Sequence, residues 1–302
     1  MSASSSPRLL VIGSSNTDLV LTCRALPRPG ETLLGGDFRQ SHGGKGANQA
    51  VAAARAGGKV VFVGARGDDD FGRSAAAALK VEGIDVRRFA IKPGAPSGVA
   101  LILVGGRTRE NLIGVAASAN DALGVDDLRA LEAEFPKAGV VVAQLETPLP
   151  AVREAARLAR RHGVPFLLNP APARVLPGAL LKQVDVLTPN EHEAAAMTGI
   201  GDPRRAGLRL FRQGCRHVVI TLGAKGALLV DGDGVRLFPA PKVKPVDTVG
   251  AGDCFTGWLA VGLAERLPIA AAIGRALRAA SLSVTRPGAQ DAMPRRRELD
   301  SL

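Results

Sequence analysis

Short runs of β-branched and other apolar residues alternate with longer alanine-rich stretches along most of this chain. The apolar runs have the length of buried strands, whereas the alanine-rich stretches have the length and composition of helices. This alternation predicts an α/β fold with a parallel sheet that is covered by helices on both faces. The predicted strands are Leu9–Gly13, Val60–Gly64, Val140–Ala143, Pro165–Leu168, Val184–Leu187 and Val218–Thr221. The predicted helices are Ala47–Ala56, Phe71–Val81, Asp126–Phe135, Pro148–His162, Asn190–Met197, Pro203–Gln213, Ala251–Glu265 and Ile269–Ser283.

Two regions break the alternation, because their predicted strands have no helix between them. The first holds Asp18–Cys23 and Thr32–Ser41, and the second holds Gly98–Val104 and Asn111–Val115. The second pair is joined by a turn that opens with Gly105–Gly106–Arg107 and is typical of a hairpin. We therefore expect a small separate sheet beside the main one.

Composition and charge exclude several classes of protein. With 302 residues, of which 46% are apolar and 22% charged, the chain is neither disordered nor a miniature disulfide protein. Its net charge of +11 comes from arginines spread along the chain, which indicates a solvated basic surface that attracts phosphorylated ligands. Aromatic residues make up only 3%, too few to provide base-stacking platforms, so we expect no nucleic-acid partner.

The chain carries no sequence mark of export or of membrane insertion. Its N-terminal apolar run, Leu9–Ile12, is shorter than a signal peptide requires, and no stretch approaches the ~20 apolar residues of a membrane span. Cys23, Cys215 and Cys254 are far apart and show no zinc or disulfide spacing. We expect a cytoplasmic protein with reduced thiols and no membrane partner.

The sharpest chemical motif is the glycine-rich segment Asp247–Phe255, which runs directly into an apolar helix. Its glycines let the backbone approach a ligand, and the first amides of the helix form an anion hole. Asp253 lies at the mouth of that hole, where a carboxylate suits proton abstraction from a hydroxyl that attacks phosphorus. An ordinary capping aspartate after a glycine turn is the alternative.

Other common phosphate and nucleophile motifs are missing from the sequence. There is no GxxxxGK[ST] loop and no GxSxG elbow, and GAGDCF lacks the third glycine of a dinucleotide fingerprint. The four histidines do not cluster as metal ligands do.

Two polar segments near the N-terminus are candidates for holding a small polar ligand. Gly43–Ala50 reads GGKGANQA and leads into a helix, so its glycines allow a close approach and Asn48 offers both a donor and an acceptor. Asn16–Asp18 follows the first strand, and the carboxyl ends of parallel strands are where open α/β sheets bind ligands. The alternatives are a capped helix start and an Asx turn.

Two segments in the second half of the chain are candidates for phosphate and cation contacts. Asn190 and Glu193 share one helix face and carry the oxygen ligands that suit Mg²⁺, although the segment taken alone favours an Asn cap with a Glu that complements the helix dipole. Thr221–Gly226 ends a strand and turns through glycine, so it either contacts nucleotide phosphates or is a simple turn.

The ordered set of motifs resembles the ribokinase family of carbohydrate kinases from Leu9 to Pro294. GGKGANQA and GAGD are the two signatures of that family. The other matching segments are GSSNTD (13–18), GDDDFG (67–72), QLETP (144–148), NPAPAR (169–174), TPNEHE (188–193), TLGAKG (221–226), DTVGAGDCF (247–255) and VTRPGAQ (284–290).

The resemblance implies a three-layer α/β/α sandwich with a mostly parallel central sheet and a small β-sheet lid. The lid strands would come from about residues 17–42 and 97–116, within a single domain of residues 8–302 that follows a flexible tail of residues 1–7. It implies transfer of the γ-phosphoryl group of ATP to O5 of D-ribose, with Mg²⁺ and K⁺ as cofactors, by a homodimer that associates through the lid. The alternatives are a related kinase acting on deoxyribose, fructose or a nucleoside, and a non-catalytic sugar-binding regulator.

The resemblance also assigns roles to individual positions. Asp253 matches the catalytic base, and Gly250, Ala251 and Gly252 match the anion hole. Positions matching sugar contacts are Asn16, Thr17, Asp18, Gly44, Lys45, Gly46, Ala47, Asn48, Glu146 and Asp253. Positions matching nucleotide contacts are Asn190, Thr221, Leu222, Gly223, Ala224, Lys225, Gly226, Gly252 and Asp253. Asn190 and Glu193 match a site that organises Mg²⁺ and phosphates. Positions matching a K⁺ site, several through backbone carbonyls, are Asp247, Val249, Ser283, Arg286, Gly288 and Ala292.

Overall fold

The computed structural model describes residues 7–106 and 110–300, so the predicted tail lies almost entirely outside the described residues. The described strands are β1 (Arg8–Ile12), β2 (Asn16–Cys23), β3 (Asp37–Gly43), β4 (Lys59–Arg66), β5 (Asp85–Ile91), β6 (Gly98–Gly105), β7 (Glu110–Ala116), β8 (Val140–Ala143), β9 (Phe166–Leu168), β10 (Val186–Leu187), β11 (His217–Thr221), β12 (Ala227–Asp231) and β13 (Gly234–Phe238). The described α-helices are α1 (Lys45–Arg55), α2 (Asp70–Val81), α3 (Val125–Arg129), α4 (Leu149–Arg161), α5 (Gly178–Leu181), α6 (Glu191–Thr198), α7 (Pro203–Arg212), α8 (Ala251–Ala264), α9 (Ile269–Ser283) and α10 (Arg296–Asp300). Short 3-10 helices cover Ser118–Ala122, Glu132–Lys137 and Gly223–Lys225.

A nine-stranded sheet forms the middle layer, in the order β13-β12-β11-β10-β9-β8-β1-β4-β5. Neighbouring strands run parallel from β11 across to β5, whereas β12 and β13 are antiparallel additions at one edge. The buried side chains of β1 alternate between two apolar clusters: one is shared with helices α4–α7 and the other with α1, α2, α8 and α9. The predicted three-layer fold with a mostly parallel sheet is confirmed.

The sequence-based prediction missed the strands at both edges of this sheet. β5 contains the exposed pair Arg87–Arg88, because an edge strand needs no apolar residue on its solvent side. β12 and β13 form a hairpin that follows β11 with no α-helix in between. They therefore do not fit the alternation of strands and helices on which the prediction rested.

The predicted helix Asp126–Phe135 is wrong. The chain forms α3, leaves the α-helical conformation at Leu131, and continues as a 3-10 helix that contains Pro136. Proline supplies no backbone N–H and disfavours the α conformation at the residue before it. Leu128, Leu131 and Phe135 are nevertheless all buried, so the apolar spacing that predicted one helix instead packs two short ones.

The second sheet has four strands in the order β3-β2-β6-β7, which confirms the small separate sheet. One of its strands begins later than predicted, at Asp37 rather than Thr32. Gly35 and Gly36 have φ angles of +87° and +130°, which are incompatible with an extended strand. Arg107 of the predicted turn lies outside the described residues.

Helix α9 has 15 residues. Within residues 7–106 and 110–300, no helix combines the length and the hydropathy that crossing a bilayer requires.

Candidate active site

The candidate residues converge on the edge of the main sheet where its parallel strands end. Asn16 follows β1, Glu146 follows β8, Asn190 follows β10, and Thr221 is the last residue of β11. Helix α8, which carries Asp253, begins at the same edge. Ligands of open parallel sheets bind at this edge, because the strand ends and helix starts direct polar groups into one crevice.

Asp253 is buried in the first turn of α8, with a relative exposure of 7%. Its Oδ2 accepts a hydrogen bond of 2.9 Å from Asn48 Nδ2, and its Oδ1 accepts one of 2.9 Å from Gln49 Nε2. Burial raises the pKa of Asp253, while the charge of Lys45 and the two amide donors act in the opposite direction. The carboxylate therefore lies in a dry site, with a higher proton affinity than an exposed aspartate has.

The glycine turn before Asp253 leaves room for a ligand. Gly250 is the N-cap residue of α8 and has a φ of +74°, a conformation that glycine adopts without strain. A Cβ atom added to Gly252 would meet no atom within 4 Å. The amides of Gly250, Gly252 and Asp253 have no acceptor among the described residues, so they can donate to an anion that approaches through this open space, whereas the Ala251 amide donates to the Thr248 carbonyl at 3.3 Å.

Lys45 carries the positive charge at the centre of the crevice. Burial disfavours its charged form, but Asp253, Glu146 and Glu193 outweigh burial and raise the pKa of Lys45. The backbone N–H of Lys45 donates to Glu146 Oε2 at 2.9 Å, and Ser14 Oγ donates to the same oxygen at 2.5 Å. Glu146 is thus fixed at the start of α1.

Asp18 lies on β2, and its carboxylate packs against Gly43. A Cβ atom on Gly43 would lie 2.2 Å from Asp18 Oδ2, so a larger residue there would displace the carboxylate. Burial, with a smaller effect of Glu146, raises the pKa of Asp18 to about 6. No group among the described residues donates a hydrogen bond to this carboxylate, which argues against the Asx turn and leaves it available to a ligand.

Asn16 is held by Asn120, a residue that the sequence analysis did not select. Asn120 Nδ2 donates to Asn16 Oδ1 at 2.8 Å, and Asn120 Oδ1 accepts from the Ser15 amide at 3.0 Å. Both side chains line a cleft of about 930 Å³ that also includes Glu146 and extends to Arg174. Because its oxygen is occupied by Asn120, Asn16 presents its NH₂ group to the cleft.

Asn190 and Glu193 form a capping box at the start of α6. Glu193 N donates to Asn190 Oδ1, and Asn190 N donates to Glu193 Oε2, both at 2.8 Å. The capping interpretation is therefore correct for these contacts. Burial raises the pKa of Glu193, although its hydrogen bond from Asn190 and the charge of Lys45 lower it. Glu193 thus faces the same crevice as Asp253.

The segment Thr221–Gly226 lies beside α6. Thr221 forms a bridge with Asn190, and its amide donates to the Pro189 carbonyl at 2.9 Å. Gly223, Ala224 and Lys225 form the 3-10 helix that follows and are exposed. These exposed groups are accessible to a ligand at the open end of the crevice.

The two loops predicted to hold K⁺ meet behind the glycine turn. Asp247 Oδ1 accepts from the Val249 amide at 3.0 Å, and Asp247 Oδ2 accepts from the Gly288 amide at 2.9 Å. No cationic side chain in the described chain forms an ion pair with Asp247. Arg286 pairs with Glu298 and directs its side chain away from Asp247.

Two of the other predicted K⁺ positions are Ser283, the last residue of α9, and Ala292, in the segment after that helix. Ser283 Oγ donates to the Ala280 carbonyl at 2.9 Å, and Ala292 is buried. A Cβ on Gly250 would lie 3.1 Å from Ala289 Cβ, so the loop supports the glycine turn. No group of three or more His, Cys, Asp or Glu side chains in residues 7–106 and 110–300 is arranged to hold a metal ion.

The family model for pfkB family carbohydrate kinases matches residues 6–296 of the chain. The chain belongs to the PfkB family of carbohydrate kinases. Ribokinase of Bacillus subtilis is 41% identical over 97% of this chain and 98% of the relative. Deoxyribokinase of Salmonella typhi is 36% identical, with 95% of each chain covered. The solved structure of Arabidopsis thaliana ribokinase complexed with ribose and ATP is 31% identical, with a TM-score of 0.91 over 98% of each chain.

The most informative residues that sequence reasoning missed in this PfkB-family kinase are side-chain amides near Asp253. Gln49 lies inside the GGKGANQA signature, and Gln144 and Gln290 lie inside QLETP and VTRPGAQ. The motifs contained them, but nothing in the local sequence shows that Gln49 donates to Asp253, that Gln144 donates to Gln49, or that Gln290 donates to Asn48. The roles of the individual site residues stay predictions.

Proposed function

We propose that this PfkB-family kinase transfers the γ-phosphoryl group of ATP to O5 of D-ribose, giving D-ribose 5-phosphate and ADP. The observation that carries the proposal is the buried carboxylate of Asp253 beside the amides of Gly250 and Gly252, which have no acceptor among the described residues. A proton acceptor and an anion site in one crevice are what in-line phosphoryl transfer to a hydroxyl requires.

The sugar is assigned to the side of the crevice formed by β2 and the start of α1. Asp18, ionised, accepts hydrogen bonds from two neighbouring hydroxyls, and Asn16 donates to a third oxygen through the NH₂ group that Asn120 leaves free. Gly43 leaves room for the Asp18 carboxylate, which packs against it. These contacts fix the sugar so that its primary hydroxyl reaches Asp253, which lowers the entropic part of the barrier.

Asp253 accepts the proton of the sugar hydroxyl as the oxygen attacks the γ-phosphorus and the bond to the leaving ADP oxygen breaks. Its raised pKa suits this role, because a base is most effective when its pKa approaches the working pH. The amides of Gly250–Gly252 and the ammonium of Lys45 stabilise the negative charge on the transferring group.

The nucleotide is assigned to the side of the crevice formed by α6 and Thr221–Gly226. Glu193 and Asn190 are the residues that would organise Mg²⁺, and their oxygen atoms are the ligand type that this ion prefers. A bound Mg²⁺ supplies charge neutralisation to the phosphates. One oxygen of Glu193 is used by the capping box, so the other remains for a water ligand of the ion.

A coupled assay of ADP release across a panel of sugars tests the proposed substrate. We expect the highest kcat/KM with D-ribose, a lower value with 2-deoxyribose and little activity with fructose or nucleosides. The similarity to a deoxyribokinase makes 2-deoxyribose the second candidate. ADP release that does not depend on any sugar of the panel would contradict the proposal and favour a non-catalytic sugar-binding role.

K⁺ activation is a further part of the proposal and rests on the contact between Asp247 and Gly288. The carboxylate and the neighbouring carbonyls offer the oxygen atoms that suit a hard cation, and the same loop supports Gly250. An ion there orders the anion hole without touching ATP.

We expect replacement of K⁺ by a bulky organic cation, at fixed ionic strength and saturating Mg²⁺, to lower kcat more than it raises KM. The dependence on K⁺ should disappear in Asp247→Ala, while Asp233→Ala, which changes an exposed aspartate far away, should keep it. Identical rates of the native protein with and without K⁺ would leave Asp247 with a purely structural role.

We also propose that the chain is a homodimer that associates through the small sheet, which we term the lid. By register, Leu19, Leu101, Leu21, Leu103 and Leu112 project from the same face of it, while Asp18 projects from the opposite face. Leu101 and Leu112 are more than half exposed, and a second copy of the chain would cover them.

A cytoplasmic location is proposed as well. It is supported by the use of ATP and by the free thiols of Cys23, Cys215 and Cys254.

A further inference from the structure

The base Asp253 receives hydrogen bonds from two side-chain amides, and each of those amides is contacted in turn by further amides. An amide has nearly the same shape whichever way it faces, but one end donates and the other accepts. Only the donating end suits an ionised carboxylate. Asn48 and Gln49 stabilise the ionised form of the base only while their NH₂ groups point toward Asp253. The contacts that hold them in this orientation are therefore decisive.

The orientation of Gln49 is traceable to a backbone carbonyl, which can only accept. Asn169 Nδ2 donates to the Thr188 carbonyl at 2.7 Å, so Asn169 Oδ1 faces the other way and accepts from Gln49 Nε2 at 3.1 Å. Gln144 Nε2 donates to Gln49 Oε1 at 2.6 Å. Both contacts require Gln49 Nε2 to point toward Asp253, where it donates at 2.9 Å.

Gln144 holds this orientation against an energetic penalty. Its Oε1 is buried and accepts no hydrogen bond from any described residue, which destabilises a fold. It also packs so tightly against Gly13 that a Cβ there would lie 2.0 Å away. The Gln144 amide therefore gives up a hydrogen bond to its oxygen but keeps the one that its NH₂ group donates to Gln49.

Asn48 is held in the same way from the opposite side. Gln290 Nε2 donates to Asn48 Oδ1 at 3.0 Å, which leaves Asn48 Nδ2 to donate to Asp253 at 2.9 Å. The carbonyl of Gln290 accepts from Arg55 Nη1 at 2.6 Å, and Arg55 is locked to Glu82 through two nitrogens. Gln290 is therefore anchored to α1 by its backbone.

We propose that Gln144, Asn169 and Gln290 are positioning residues that fix the donor orientation of Asn48 and Gln49 and so keep Asp253 in its ionised form. This inference rests on the proposed function, in which Asp253 is the base. Since none of the three reaches the reacting atoms, they act only through the inner amides.

The charged and titratable groups that face Asp253 come from four elements. They are Lys45 of α1, Glu146 after β8, Glu193 of α6 and the thiol of Cys254 in α8. Substitution of an outer amide leaves all of these groups in place. Loss of a donor to the carboxylate raises the pKa of Asp253, so the base is protonated over a wider range and activity is lost at a higher pH than in the native protein.

Gln290 is the site for the test, because it is only half-buried and its substitution should not disturb folding. We expect the acidic limb of the kcat/KM profile for ribose to move up by roughly 0.5–1 pH unit in Gln290→Met. In Gln290→Glu the shift should be larger. The new carboxylate accepts a hydrogen bond from Asn48 Nδ2, so the Asn48 amide turns over and its Oδ1 faces Asp253. Gln213→Glu, on the far end of α7, is the matched control and should leave the limb unchanged.

Activity of both variants should recover toward the native value at pH 9, which a merely structural defect would not do. An unshifted limb, or an equal loss at every pH, overturns the proposal. A titration of the Asp253 carboxyl carbon by ¹³C NMR, assigned by its absence in Asp253→Asn, gives the same answer without turnover. If the native protein releases no ADP with ribose, the proposed function fails, while the carbon titration still decides the role of the outer amides.

Discussion

Asp253→Asn is expected to lower kcat by about 10²–10⁴-fold, because the amide keeps the shape of the carboxylate but accepts no proton from the attacking hydroxyl. Ribose affinity, measured by calorimetry without turnover, should change far less. Asn48 and Gln49 both donate to this side chain, and in the variant one of them meets an NH₂ group instead of an oxygen. Some loss of thermal stability should therefore accompany the loss of turnover.

Asp233→Asn is the control, since Asp233 lies in the exposed turn between β12 and β13, far from the crevice. It should leave kcat and ribose affinity at their native values. Near-native turnover of Asp253→Asn would mean that another group takes the proton, and the assignment of the base would then be wrong.

Asp18→Ala is expected to raise KM for ribose about tenfold or more while KM for ATP stays nearly constant. Each hydrogen bond that a buried polar site loses is worth roughly 1–3 kcal/mol, and 1.4 kcal/mol corresponds to a factor of ten. The carboxylate accepts no hydrogen bond from the described residues, so its removal breaks no hydrogen bond within the protein. Equal effects on both substrates would indicate a structural role.

The pH dependence of ribose binding gives an independent check on Asp18. Its pKa is raised to about 6, and only the ionised form accepts from two hydroxyls. Ribose affinity of the native protein should therefore fall as the pH decreases through 6, and Asp18→Ala should lack this step. Calorimetry between pH 5 and 8 measures it directly.

The sequence predicted the parts of the molecule that local patterns determine. Alternating apolar runs specify the parallel sheet, and the glycine turn before Asp253 specifies a helix start with unpaired amides. The break of helix Asp126–Phe135 and the strands at the sheet edges were missed, because Pro136 acts against an otherwise regular apolar spacing and edge strands are only half apolar.

The amides around the base could not have been predicted from any local pattern. Gln144 and Gln290 are separated from Asp253 by long stretches of chain, and hydrogen-bonding direction is a property of the folded network rather than of a motif. The pair Asn190 and Glu193 illustrates the opposite case. Its spacing predicted both a cap and a phosphate-organising site, and the cap contacts are present without excluding the second role.

Strand β2 begins among the sugar-binding candidates and continues as the central support of the lid. Asn16, its first residue, is in register with Gly43, the last residue of β3, and with Gly98, the first residue of β6, while Asp18 is in register with Ser41. If Asp18 binds the sugar as proposed, a displacement of the small sheet at the start of β2 also displaces Asp18, which couples the position of that sheet to sugar binding.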